Sequence, residues 1–221
     1  MLAAVCAQAL MAGLGRGGVR IVDVRPLREF MAAHIPGSIS VPYAVDRFGT
    51  QVRSLLPNGV PAVLIAHDRP TAEAATVGLR ADGHTVLGLL EGGVEAWTQA
   101  GHPLEHVREW QAEALSSRLA TGGIAVLDVR EPGEWAGGVI AGAICMRLAE
   151  IPTRFSELDP AGEYVAVCAI GVRSLRAAWL LQQRGFARVA NLLGGMKAWV
   201  GAGLPSVPPP AAEWRGASPA G

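Results

Sequence analysis

At 221 residues the chain is long enough for one large domain or two small ones, each able to bury a core. Lysine plus arginine and aspartate plus glutamate stand at 19 each, so no strong field recommends nucleic acid or an anionic membrane as partner, and any anion site has to be local. Three cysteines, Cys6, Cys145 and Cys168, without short spacings argue against a disulfide framework or a metal site and fit a reducing, cytoplasmic compartment, and no apolar run approaches the ~20 residues that span a bilayer.

The opening Met1 to Gly13 is apolar but has no positive stretch before its apolar run, so it reads as a helix that includes Cys6 rather than as a secretion signal. From there short β-branched runs alternate with helical stretches, the pattern of βαβ units around a mainly parallel sheet. Ile21 to Arg25 is the first such run, and His67-Asp68-Arg69-Pro70 has the composition of a solvated loop. Further on, Leu115 and Leu119 share a helix face, Gly122-Gly123 ends that helix, and Ile124 to Val129 is an apolar run without alternation, as in a buried parallel strand. Tyr164 to Val167 is another. After Cys168, the residues Leu175, Ala178, Trp179 and Gln182 fall on helical spacing up to a stop at Gly185. Ala187 to Leu192 reads as a strand, Gly194-Gly195 as its turn and Met196 to Val200 as a short helix. The proline-rich stretch after Pro205 is expected to be an extended, disordered tail over 206–221.

The chain is written twice. Ile21-Val22-Asp23-Val24-Arg25 returns as Val126-Leu127-Asp128-Val129-Arg130, 105 positions on, and Glu29, Phe30, Ile35, Gly37 and Ile39 meet Glu134, Trp135, Ile140, Gly142 and Ile144 at that shift. Gly92-Gly93-x-x-Ala96-Trp97 returns as Gly194-Gly195-x-x-Ala198-Trp199 at a shift of 102, the second copy having lost three residues on the way. Units of about a hundred residues are domains rather than solenoid repeats, and the expected division is 1–104 and 105–205.

A loop that runs from a buried strand into a helix leaves backbone N–H groups aimed at one spot, a natural seat for an anion or a thiolate. Cys168-Ala169-Ile170-Gly171-Val172-Arg173-Ser174 has that form. The donors and the helix dipole are expected to lower the Cys168 pKa, Gly171 to let the backbone curl, and Ser174 to start the helix. Arg173 has two open readings, a substrate contact or a brace between the helix and a carboxylate. Cys145 is expected in the core, Asp128 with Arg130 as a structural ion pair, and Trp97 and Trp199 as packing residues.

With Asp128-Val129-Arg130, Glu134-Trp135, the Cys-x-x-Gly-x-Arg-Ser loop and Gly194-Gly195-x-x-Ala198-Trp199 together, the chain resembles the rhodanese family over all but its tail. The resemblance implies two small α/β domains with parallel sheets and no cofactor. It implies further that Cys168 takes sulfane sulfur as a persulfide from a small donor such as thiosulfate and gives it to cyanide, a thiol or a carrier protein. At a shift of 102, Ala66 stands opposite Cys168, so the first copy is expected to be catalytically empty and to close one side of the cleft. The active copy departs from the family where Val139-Ile140-Ala141-Gly142 replaces the His-Ile-Pro-Gly of the first. Arg147 is the nearby base that remains to hold a donor, and Ala169 adds little selectivity, so poor thiosulfate turnover is expected. Two alternatives stand beside this reading: a binding module without turnover, and a cysteine-dependent phosphatase. Against the latter, four residues separate Cys168 from Arg173 where the phosphatase relatives have five.

Overall fold

The computed structural model describes residues 2–44, 48–56 and 59–210. The chain divides into two compact units, Met1–His106 and Val107–Gly221. Each has a five-stranded sheet in which all strand pairs are parallel, flanked by helices. The first unit holds β1 (Ala4–Val5), β2 (Arg20–Asp23), β3 (Ile39–Ser40), β4 (Ala62–Ile65) and β5 (Val86–Leu90), in the order β1-β5-β4-β2-β3. In the second, β6 (Arg108–Trp110), β7 (Ala125–Asp128), β8 (Ile144–Cys145), β9 (Tyr164–Val167) and β10 (Val189–Leu192) take the order β6-β10-β9-β7-β8, the same permutation. The expected architecture of two small parallel sheets flanked by helices is the one found.

The middle strands β4 and β9 are buried at every residue because helices cover both faces, which is why their sequences are continuously apolar. Side chains alternate between the faces. Val63 and Ile65 pack with Leu10, Ile21, Ile35 and Trp97, while Ala62 and Leu64 pack with Val22, Val52, Ala75 and Leu79. In the second unit Val165 and Val167 join Leu115, Val126, Cys145, Leu192 and Trp199 in one cluster.

The repeated Asp-x-Arg closes the C-terminal ends of β2 and β7. Asp23 and Arg25 meet at 2.7 Å, Asp128 and Arg130 at 2.6 Å, all four buried. Arg25 also donates to the Ala33 carbonyl, and Arg130 to those of Glu134 and Gly138, so the pair ties the strand end to the short helix that follows. Trp135 adds an indole N–H to Asp128 at 3.2 Å. Trp97 and Trp199 are buried and each donates its N–H at 2.9 Å to a proline carbonyl, that of Pro103 and of Pro205.

Three boundaries differ from the expectation. Cys6 lies just outside the helix Ala7–Gly15, at its N-cap, and is exposed. Glu105 belongs to the first unit, since it exchanges backbone hydrogen bonds of 2.9 and 2.8 Å with His34. Val207 repeats this with Val139 at 2.9 Å in both directions, which fixes the start of the expected tail by satisfying a backbone pair the sheet leaves open. Residues 211–221 of that tail lie outside the described residues.

Candidate functional site

Strand β9 ends at Val167 and the helix Val172–Gln182 begins four residues beyond Cys168, so the cysteine stands where a middle strand hands over to a helix N-terminus. Gly171 makes the turn with φ +84°, a left-handed conformation, and a Cβ there would lie 2.9 Å from the Gly194 nitrogen. The helix therefore starts at Val172 rather than at Ser174, which becomes its third residue. From that position the Ser174 hydroxyl reaches back to the Cys168 sulfur at 3.2 Å, and the Gly171 N–H donates to the same sulfur at 3.2 Å.

Cys168 has no solvent exposure, while Ile170 and Val172 on the same loop are 56% and 40% exposed. Burial pushes the Cys168 thiol up; the Ser174 hydroxyl and the backbone N–H groups of Ser174, Ile170 and Gly171 outweigh it and leave the thiol below its ordinary value. The arrangement is a nest of donors around one sulfur, able to hold negative charge on that sulfur or on an atom bonded to it.

The floor of the nest is the repeated double glycine. Gly194 and Gly195 have φ +73° and +60°, and a Cβ on Gly195 would lie 2.2 Å from the Cys168 carbonyl oxygen and 2.8 Å from the Gly171 nitrogen. The helix Gly195–Gly201 that starts there donates the Met196 N–H to the Cys168 carbonyl at 2.7 Å and the Lys197 N–H to the Ala169 carbonyl at 3.0 Å. In the sequence this glycine pair reads as a turn. Its function as a support shows only in three dimensions, because the residues it touches lie about 25 positions upstream.

Arg173 is occupied. Its guanidinium forms a fork with Glu134, both bonds at 2.7 Å, and Glu134 also accepts the Glu131 N–H at 3.1 Å. The brace on a carboxylate is present, and its partner is Glu134, which the sequence offers through the repeat and the Glu134-Trp135 pair. Arg173 holds the Glu134 carboxyl below the usual range. Arg147 is likewise paired, with Glu150 at 2.9 Å and Glu131 at 3.8 Å. Ala141 lines a cavity with Ser116, Leu119, Ile124 and Trp199 in which no residue of the Cys168 loop takes part. Cys145 is buried in β8.

The corresponding place in the first unit is built differently. The helix Arg69–Ala81 begins one aligned position earlier, and Asp68 caps it by accepting the Thr71 N–H at 2.7 Å. A fixed carboxylate thus occupies the helix N-terminus, and Ala66 offers no nucleophile. His67 is exposed and lies 3.5 Å from Glu29. Under the glycine pair a Cβ on Gly93 would meet only the flexible Glu95 carboxylate at 3.3 Å.

A thiol in a donor nest at the C-terminal end of a parallel sheet defines an α/β protein of the cysteine-loop type. The rhodanese-like domain model matches residues 7–100 and again 111–202, and the chain belongs to the rhodanese-like family in tandem form. A sulfurtransferase of Allochromatium vinosum is 42% identical over 104 residues, covering 47% of this chain and 97% of that protein. A thiosulfate sulfurtransferase of Corynebacterium glutamicum is 25% identical over an alignment of 261 residues, covering 88% of this chain and 86% of that one. A solved thiosulfate sulfurtransferase from Pseudomonas aeruginosa has a TM-score of 0.48 at 25% identity, over 92% of this chain and 43% of that one. Family and relatives support a sulfurtransferase role in general. Among the described residues no helix is long and apolar enough to cross a membrane.

Proposed function

We propose that the second unit transfers sulfane sulfur through a persulfide on Cys168, and that the first unit is catalytically empty. The observation that carries this is the pair of 3.2 Å hydrogen bonds from the Gly171 N–H and the Ser174 hydroxyl to the Cys168 sulfur. The thiolate attacks the outer sulfur of thiosulfate or a related donor, the donor's S–S bond breaks, and sulfite leaves with the bonding pair. The terminal sulfur of the persulfide then carries the negative charge, which the loop donors stabilise as they did the thiolate. A thiol, cyanide or carrier-protein acceptor attacks that terminal sulfur and returns the Cys168 thiolate. Every atom is accounted for without a cofactor.

The emptiness of the first unit rests on Ala66 and on the Asp68 cap, which fills the helix N-terminus that the second unit turns toward its sulfur. The test is intact mass after incubating reduced wild type and Cys168→Ser with thiosulfate, alongside measurement of released sulfite. One added sulfur atom on wild type only, with matching sulfite, is the expected result. No added sulfur from thiosulfate, mercaptopyruvate or a thiol persulfide refutes the persulfide reading and leaves a binding module.

A further inference from the structure

Three arginines of the second unit are held by carboxylates. Arg173 is forked on Glu134 at 2.7 Å twice over; Arg147 lies on Glu150 and Glu131; Arg154 lies on Glu150 at 3.2 Å and on Glu157 at 2.7 Å. Four carboxylates therefore face three guanidinium groups, and none of these three arginines is left over for a dianion. Arg173 matters most, because it sits in the first turn of the helix that Cys168 precedes. Its charge is held up first by Glu134 and, less strongly, by Cys168, whose side chain it also meets, so the fork on Glu134 governs a cation that reaches the sulfur.

We propose, resting on the persulfide reading of Cys168, that Glu134 is a specificity-determining residue: by holding Arg173 in a bidentate fork it withholds that cation from dianionic donors and turns the site toward sulfane donors of single negative charge. A carboxylate that takes both arms of a guanidinium leaves little of its field for a second anion. At Arg173 an incoming thiosulfate meets a neutral pair.

Thiosulfate and the methanethiosulfonate anion test this directly. Both give up an outer sulfur to the thiolate, with sulfite or methanesulfinate leaving with the S–S pair, and they differ by one oxyanion in place of a methyl group. Wild type and Glu134→Gln are assayed with both donors and cyanide as acceptor. Glutamine still accepts from the Glu131 N–H and keeps the short helix closed. In Glu134→Gln the ratio of kcat/KM for thiosulfate over methanethiosulfonate is expected to rise about tenfold, mainly through a lower thiosulfate KM, and the gain to shrink as ionic strength is raised. The double variant Glu134→Gln/Arg173→Gln should return the ratio to the wild-type value, because the released cation is gone. An unchanged ratio overturns the proposal, as does a rise that the double variant retains or that salt does not reduce. If neither donor leaves sulfur on wild-type Cys168, the persulfide reading itself has failed, which is a different outcome from a ratio that stays put.

Discussion

Gly195→Ala places a methyl group where the structure has no room. The new Cβ would stand 2.2 Å from the Cys168 carbonyl oxygen and 2.8 Å from both the Ala169 carbonyl carbon and the Gly171 nitrogen, all backbone atoms that cannot swing aside. Left-handed backbone at this position adds about 1 kcal/mol for a non-glycine residue. Moving the carbonyl out of contact also weakens the Met196 and Lys197 N–H bonds to the loop, now 2.7 and 3.0 Å, for about another 1 kcal/mol each. The sum, about 3 kcal/mol, is below the 5 to 15 kcal/mol of an ordinary domain, so the second unit still folds, with its loop displaced. Because the carbonyl and the Sγ belong to one residue, that displacement misaligns the Gly171 and Ser174 donors. Gly93→Ala is the control: it has nearly the same φ, +57°, yet its methyl would meet only the Glu95 carboxylate. The assay is alkylation by iodoacetamide across pH, with the Cys168 peptide followed by mass. Gly195→Ala should slow modification at pH 7 about tenfold and move the profile to higher pH, as about 1.4 kcal/mol of lost thiolate stabilisation requires. Gly93→Ala should leave it in place. Equal stability losses in the two variants and an unmoved profile for Gly195→Ala would refute the role of the glycine floor.

Ser174→Ala removes the hydroxyl at 3.2 Å from the Cys168 sulfur without removing any backbone donor. Since hydrogen bonds hold the thiol below its ordinary value, losing this one shifts its ionisation upward and should slow alkylation at neutral pH by about tenfold, while at pH well above the thiol range the two rates converge. Asp128→Ala leaves Arg130 buried without its counter-charge and should destabilise the second unit by about 3 to 5 kcal/mol in denaturant unfolding. Asp23→Ala should do the same to the first unit, which has no thiol in its loop, and a large effect on one unit alone would mean the pair is not architectural.

Much of this protein is legible in its sequence because the governing forces are local or repeated. The unalternating runs at β4 and β9 mark strands covered on both faces, and Gly171 before a helical period marks the loop that Cys168 opens. The duplication tells which copy lacks a nucleophile, since Ala66 against Cys168 needs only an alignment. Chain order alone could not give the strand order, for β10 lies between β6 and β9 through crossovers that leave no trace in hydropathy.

The site's fine structure was decided by residues distant in sequence. Which way Arg173 turns depends on Glu134, 39 positions away, and no spacing rule reaches across that gap. Ser174 reads as a helix start in the sequence, but the left-handed turn at Gly171 begins the helix earlier and makes the serine a donor to sulfur. Sequence fixes such things only through the packed fold, because a hydrogen bond needs its two atoms within a few tenths of an ångström, whereas hydrophobic patterning needs only the correct face. Fold class, duplication and the cysteine loop are thus legible in hydropathy pattern, internal repeat and local motif; the glycine floor and the Glu134–Arg173 fork arise from tertiary contact.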